Sequence, residues 1–225
     1  MNIEFPEYDF PCRMFDFNTE QEMEFDNYRE LEKNIQEQFF SNSISQIKNG
    51  LSNVLYWGYY RIGYGKTRIK IFRENVTNFQ LQAFSDLVKT NMADPISIKK
   101  IGLPQFSGFS FISKILMFMD PTTYVVLDKK IMELYDLKNH DNPLTKIPYN
   151  RKDSGIRITK ISNKYYFEWC ELCSFIAKQF QDHKIAVDIE RGFFKLAEKD
   201  EIEYAKLIIA TEMKKLRVLT ANNIS

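Results

Sequence analysis

Residues Phe109 to Met119 read FSFISKILMFM, with only Ser110, Ser113 and Lys114 polar. A helix that is apolar nearly all round has to be buried, so the rest of the chain must be arranged to cover it. The segment is delimited on both sides. Gly102 to Gly108 is a tight turn, and Asp120-Pro121 stops the helix, because proline disfavours helical geometry in the residue before it. With 225 residues, 44% of them hydrophobic and 15% aromatic, there is enough apolar material for a sizeable core in one large domain or two small ones. Eight glycines and seven prolines argue against a collagen-like chain, a linker-dominated one, or a sandwich with many turns. Three cysteines cannot form a disulfide framework and suit a reducing compartment. No apolar run reaches the roughly 18 residues of a membrane span, and the acidic start lacks a signal-peptide core. The expectation is a cytoplasmic protein without a membrane partner.

The other elements follow from apolar period and caps. Residues 1–18 show no period and read as an irregular arm. Thr19 to Gln38 reads as a polar helix, with Met23, Tyr28, Leu31 and Ile35 apolar and Asn18 or Thr19 as cap. Ser43 to Arg61 is a second helix on an Ile44, Ile47, Leu51, Val54, Leu55, Tyr59 stripe, ended by Gly63 and Gly65. Thr67 to Phe72 alternates basic and apolar residues, as a short strand or extended connection would. Asn78 to Lys89 is helical, Pro95 opens a short segment to Ile101, and Asp128 caps a helix running to Leu137. Asn139 to Gly155 is polar and broken by two prolines, the best candidate for a loop or internal boundary. Ile156 to Ile161 reads as a strand, Ser162 to Phe180 and Val187 to Leu207 as helices, and Thr220 to Ser225 as a frayed end. The expected organisation is an arm over 1–18, a helical region over 19–138, and a loop with a C-terminal helical region over 139–225. The expected fold is mainly α with little β.

Charge is unevenly spread. Residues 1–40 hold eleven acids against three bases, residues 41–165 nineteen bases against nine acids, and the remainder is near balance. A basic centre between acidic ends is compatible with an anionic partner such as nucleic acid, although an uneven solvated surface would look the same.

The stretch from Ile98 to Ile131, IKKIGLPQFSGFSFISKILMFMDPTTYVVLDKKI, carries the chemistry. It resembles the helix-hairpin-helix DNA glycosylase superfamily, in which a Leu-Pro-Gly-x-Gly hairpin leads into a buried helix. An essential Asp follows about twenty residues after the last hairpin glycine. Gly108 and Asp128 hold those positions here. The SGFSF, SKIL, DP and VLD wording is similar to bacterial relatives of that superfamily. The turn, LPQFSG, has one glycine where two are usual and one extra residue. The resemblance implies a helix-hairpin-helix glycosylase-like fold. It also implies an enzyme that flips a damaged or modified base out of double-stranded DNA and hydrolyses its N-glycosidic bond. Modified bases in viral DNA are as suitable as oxidised or alkylated ones, so repair and phage defence both remain open. Where bifunctional members carry a Schiff-base lysine, this chain has Ser110, which implies a monofunctional enzyme using water. Lys114, one turn on, reads as a poor substitute.

A glycine-containing turn at a helix N-terminus presents backbone amides and the positive end of the helix dipole to a phosphate. Such a grip positions DNA without reading its sequence. Breaking an N-glycosidic bond builds positive charge on the sugar, which a nearby carboxylate stabilises. Asp128, which the resemblance places there, is the candidate catalytic residue. Gln105, Ser107, Gly108, Ser110, Arg68, Lys129 and Lys130 are the candidate DNA contacts. In the run YWGYYR, Trp57, Tyr60 and Arg61 are candidates for a base pocket, with Gly58 allowing close approach and Tyr59 turned inward. An isolated Asp at a helix start is more often a plain cap, and an aromatic run more often a core face.

Other motifs are weaker. Gly65-Lys66-Thr67 lacks the glycine a P-loop needs at position 60. Cys170 and Cys173 sit in a helical pattern with only Cys12 besides. No metal, iron–sulfur cluster or other cofactor is therefore expected. His140 and His183 suit loop or surface positions. A non-catalytic helix-hairpin-helix DNA-binding module and a helical interaction protein are the alternative readings.

Overall fold

The structure, a computed structural model, describes residues 3–150 and 155–222. It is mainly helical with one two-stranded sheet. The described chain divides into two units. Asp9–Asp120 forms one, and the residues on either side of it form the other. The division falls at Asp120-Pro121, where the apolar helix stops, whereas the sequence reading put its change of organisation at 139.

In the Asp9–Asp120 unit, strands β1 (Arg13–Asp16) and β2 (Gln21–Glu24) pair antiparallel, Met14 opposite Met23. Residues 1–18 are therefore not an irregular arm throughout, and the first helix does not begin at Thr19. The Asn18 amide and the Thr19 hydroxyl donate to the Asp16 carboxylate at 2.9 and 2.8 Å, tying the hairpin turn instead of capping a helix. These bonds, the Asn18 amide first, hold the Asp16 carboxyl below its ordinary value. Helix α1 (Tyr28–Phe39) starts later, capped by Asn27, whose side chain accepts from the Glu30 amide. Helix α2 (Ile44–Tyr59) follows the expected stripe and is buried from Asn49 through Trp57. It is the central rod, packed against α1, β1 and the helices α3 (Gly65–Asn75), α4 (Asn78–Lys89) and α6 (Phe109–Met119). A 3-10 turn, Tyr60–Ile62, ends at Gly63 in the left-handed region (φ 72°).

Gly65 does not end a helix but begins α3. The expected strand over Thr67 to Phe72 is helical. Ile69 and Phe72, three apart, are both buried, so a helical stripe prevails over the local basic–apolar alternation. Helices α4 and α6 have the expected bounds, and α4 opens on a Thr77–Gln80 capping box.

In the other unit, Tyr124 to Leu127 has no regular structure and leads to a single 3-10 turn, Ile131–Leu134, shorter than the expected helix to Leu137. The short helix α7 (Pro143–Lys146) interrupts the expected loop. Helix α8 (Lys160–Ala177) is the core of this unit. It has Tyr166, Trp169, Cys170 and Cys173 buried and packs on α7, α9 (Ala186–Glu198) and α10 (Ile202–Asn222). No strand forms over the described residues of 156–161. The expected single helix from Val187 to Leu207 is two, broken at Asp200 in the left-handed region (φ 63°). Helix α10 continues through Asn222 where fraying was expected; residues 223–225 lie outside the described residues, as do 151–154. The segment before Asp9 is strapped onto α9. The Phe5 ring lies 5.2 Å from that of Phe193, over Gly192, where an added Cβ would come within 2.3 Å of it.

No helix among the described residues is long and apolar enough to cross a membrane.

Candidate functional site

The hairpin is built by helix α5 (Pro95–Ile101), a turn, and α6. Asp94 caps α5 by accepting from the Ile96 and Ser97 amides at 2.6 and 3.0 Å, with Pro95 in the first turn. Gly102 ends α5 at φ 71°. Its carbonyl accepts from Gln80 Nε2 at 2.7 Å, which ties the turn to α4. Leu103 and Phe106 are buried and anchor the turn from below. Phe106 meets Phe72 of α3 edge-on at 5.6 Å. The left-handed position within the turn is taken by Gln105 (φ 69°), a conformation that costs a non-glycine residue about 1–2 kcal/mol. The Gln105 side chain is held there by Arg68, whose Nη1 donates to Oε1 at 2.9 Å.

Gly108 is the N-cap of α6 with φ −104° and ψ 159°, and no side chain bonds to the cap. A Cβ built on it meets nothing within 4 Å. The start of α6 is thus approachable from outside, and its dipole favours an anion. Ser107 is exposed, and Ser110 and Arg68 are partly so. Arg68 also lies over the Tyr59 ring at 5.2 Å, and Tyr59 stacks on Phe111 of α6 at 4.4 Å. The structure therefore brings Arg68 and Gln105 together beside the turn that carries Ser107, Gly108 and Ser110.

Lys114 is the residue here that sequence reasoning set aside. Its stem is buried against α2, and its Nζ donates to Ser110 Oγ at 3.0 Å. A long side chain reaches back one helical turn, toward its own helix N-terminus. The ammonium thus arrives at Ser110 although the sequence position is one turn away. The i, i+4 spacing was the available signal.

Asp128 belongs to the other unit. Buried Val125, Val126 and Leu127 lead into it, and the Tyr166 hydroxyl donates to the Val125 carbonyl at 2.9 Å. Asp128 Oδ1 accepts from the Lys130 and Ile131 amides at 2.9 and 3.1 Å, and its carbonyl accepts from Met132. These bonds brace the turn ahead of Ile131–Leu134, whose N-cap is Lys130 and not Asp128 as expected, and Asp128 remains half-buried and not enclosed in the core. Lys129 is exposed and lines a 470 Å³ cavity together with Glu133, Tyr149, Asp200 and Lys206. Lys130 donates to Glu133 at 2.8 Å, so its charge is already answered by a neighbour and it is a weaker phosphate contact than expected.

The expected base pocket is not formed by its three candidates. Trp57 is 3% exposed, with Phe10 at 4.8 Å and Phe118 at 5.3 Å, and belongs to the core. Tyr60 accepts from Arg13 at 2.7 Å beneath the sheet hairpin. Arg61 pairs with Asp9 at 2.8 Å and lies over Phe10 at 4.6 Å. Gly58 does permit close approach, but of Phe111, whose ring would lie 2.6 Å from an added Cβ. The aromatic run is thus spent on packing α2 against α6 and the N-terminal segment.

Among the described residues no cluster of His, Cys, Asp and Glu is arranged to hold a metal ion. Cys170 and Cys173 are enclosed, and burial pushes the Cys170 thiol up to about 12, away from the thiolate that redox or metal chemistry needs.

Comparison with protein-family models, with curated proteins and with solved structures finds no match to this chain.

Proposed function

We propose that the chain is a DNA N-glycosylase of the helix-hairpin-helix type. It flips a modified base from double-stranded DNA and hydrolyses the bond to deoxyribose, leaving an abasic site. The observation that carries this reading is the α5–turn–α6 hairpin with its open glycine cap, followed twenty residues on by a half-buried carboxylate. The amides at the start of α6 hold a phosphate, and Arg68 adds positive charge beside the turn. Asp128 faces the sugar as the glycosidic bond lengthens. It stabilises the developing cation and orients the water that completes hydrolysis. A carboxylate about 4 Å from a unit positive charge, at an effective dielectric near 20, contributes roughly 4 kcal/mol, or about a thousandfold in rate. One Asp128 oxygen is engaged by two backbone amides, which fixes the carboxylate orientation.

The test is a panel of duplexes, each with one alkylated, oxidised, deaminated or bulky modified base, scored for abasic sites. Abasic product from at least one duplex supports the reading. Tight, salt-sensitive DNA binding with no abasic product from any duplex favours a non-catalytic DNA-binding module instead. The Lys114 ammonium at Ser110 favours a second reading in one respect only, that excision is followed by strand cleavage through an imine. Borohydride trapping of a covalent complex, lost in Lys114→Met, would establish it.

A further inference from the structure

The sheet hairpin and α3 border an open cavity of about 320 Å³ that the proposed excision chemistry does not use, and all of it lies within the Asp9–Asp120 unit. Its α3 wall is Lys66, Ile69, Lys70 and Arg73, at the 0, 3, 4, 7 spacing of one helix face. Opposite stand Phe15 of β1 and Phe17 just beyond it, rings 5.2 Å apart and edge to face. Glu20, exposed in the turn, is the single acid on the rim against three cations.

Arg73 gives the cavity its character. Its guanidinium lies 4.1 Å over the Phe17 ring and donates to Asn49 Oδ1 at 2.9 Å and Ser52 Oγ at 3.3 Å, both neutral. No carboxylate among the described residues pairs with it. Burial holds its basicity below the ordinary arginine value, and burial together with Arg73's charge does the same to neighbouring Lys48. Lys66 lies 5.9 Å from the Phe15 ring, and Lys70 has only Glu74 at the outer limit of ion pairing, 4.0 Å. A partly desolvated guanidinium whose fixed partners are neutral, flanked by two exposed lysines, has the chemistry to pair with an anion. Two aromatic rings and Ile69 beside it form an apolar wall suited to a planar ring.

We infer that this cavity binds a nucleotide unit, its base against Phe15, Phe17 and Ile69 and its phosphate on Arg73, Lys66 and Lys70. The volume is at the small end of ligand pockets, about 300–1,000 Å³, and suits one nucleotide. The same chemistry is offered by a free nucleotide and by one residue of a single strand. This inference does not depend on base excision, and it is read by direct binding.

Calorimetric titrations of the whole chain with dTMP, dAMP, ADP and a short oligo(dT) test it, with pyrophosphate and phosphotyrosine as controls. The charge-reversing pair Lys66→Glu/Lys70→Glu alters exposed side chains, so melting should stay unchanged while nucleotide affinity falls by about tenfold or more. Phe17→Leu should weaken nucleotides and leave pyrophosphate binding as it was. Saturable mononucleotide binding with these responses assigns the site to free nucleotides. Binding of oligo(dT) alone, with the same responses, assigns it to a strand. Absence of nucleotide binding at about 1 mM overturns the inference. So does pyrophosphate or phosphotyrosine binding as tightly as the nucleotides, or an affinity indifferent to the charge reversal.

Discussion

Gly108→Ala separates the fold of the hairpin from its grip on DNA. The glycine has φ −104° and ψ 159°, ordinary extended backbone that alanine adopts without strain, and a methyl group there meets no atom within 4 Å. The cost to folding is limited to exchanging one N-cap for a poorer one, about 1 kcal/mol or less, a melting shift of roughly 2–4 °C in a chain of this length. The cost to binding is larger. Phosphate oxygens have to approach the α6 amides to about 3 Å, through the space the methyl would fill. Losing one charge-assisted hydrogen bond is worth about 1.5–3 kcal/mol, so DNA affinity should fall roughly 10- to 150-fold. The slope of log affinity against log salt should become shallower by about 0.9 per lost phosphate. Fluorescence anisotropy over a salt series reads both. Wild-type affinity and slope in a variant that melts normally would refute the placement of the grip at the start of α6.

Other expectations follow from single contacts. Asp128→Ala removes the acceptor for two amides and should lower stability by about 0.5–2 kcal/mol, whereas Asp128→Asn keeps an acceptor oxygen and should stay close to wild type in a urea melt. Trp57→Ala should destabilise by about 3–5 kcal/mol, a loss of fold seen by calorimetry, because the indole fills the core and does not face a base. Gly192→Ala forces a methyl into the Phe5 ring and should cost about 1–3 kcal/mol, with residues 3–8 gaining protease sensitivity. Cys170 has a folded value of about 12 against 9.0 for the free thiol, so the native state keeps the proton longer. Its contribution to stability is full below pH 9 and declines as pH rises toward 12. In the native protein it should resist thiol reagents at pH 8.

The parts of the fold that could be read from sequence are those whose burial imposes a period over eleven or more residues. Helices α2, α4 and α6 have continuous apolar stripes, and α6 has clear punctuation at Gly108 and Asp120-Pro121. The sheet could not be read. Gln21–Glu24 is wholly exposed, and its strand character comes from pairing with β1 and not from its own residues. In α3 four alternating residues imitated a strand, and only the spacing of Ile69 to Phe72 marked the helix. The break between α9 and α10 carries no glycine, since Asp200 takes the left-handed position, so nothing local announced it. In the candidate site, the Gly108 turn could be read because it is local backbone chemistry, whereas the Asp128 cap gave way to a shorter 3-10 turn that starts on Lys130. The aromatic run at Tyr56 to Arg61 could not be sorted, because its burial depends on Phe10, Phe111 and Phe118, which are remote in sequence.

The negative charge of Asp128 carries the proposed excision, and one comparison weighs that charge. Single-turnover base excision by the wild type and by Asp128→Asn would be measured on the same modified duplex, with binding checked in parallel. Equal binding and an excision rate lower by about a thousandfold are expected in the variant. Excision by Asp128→Asn within tenfold of wild type would contradict that role of the charge.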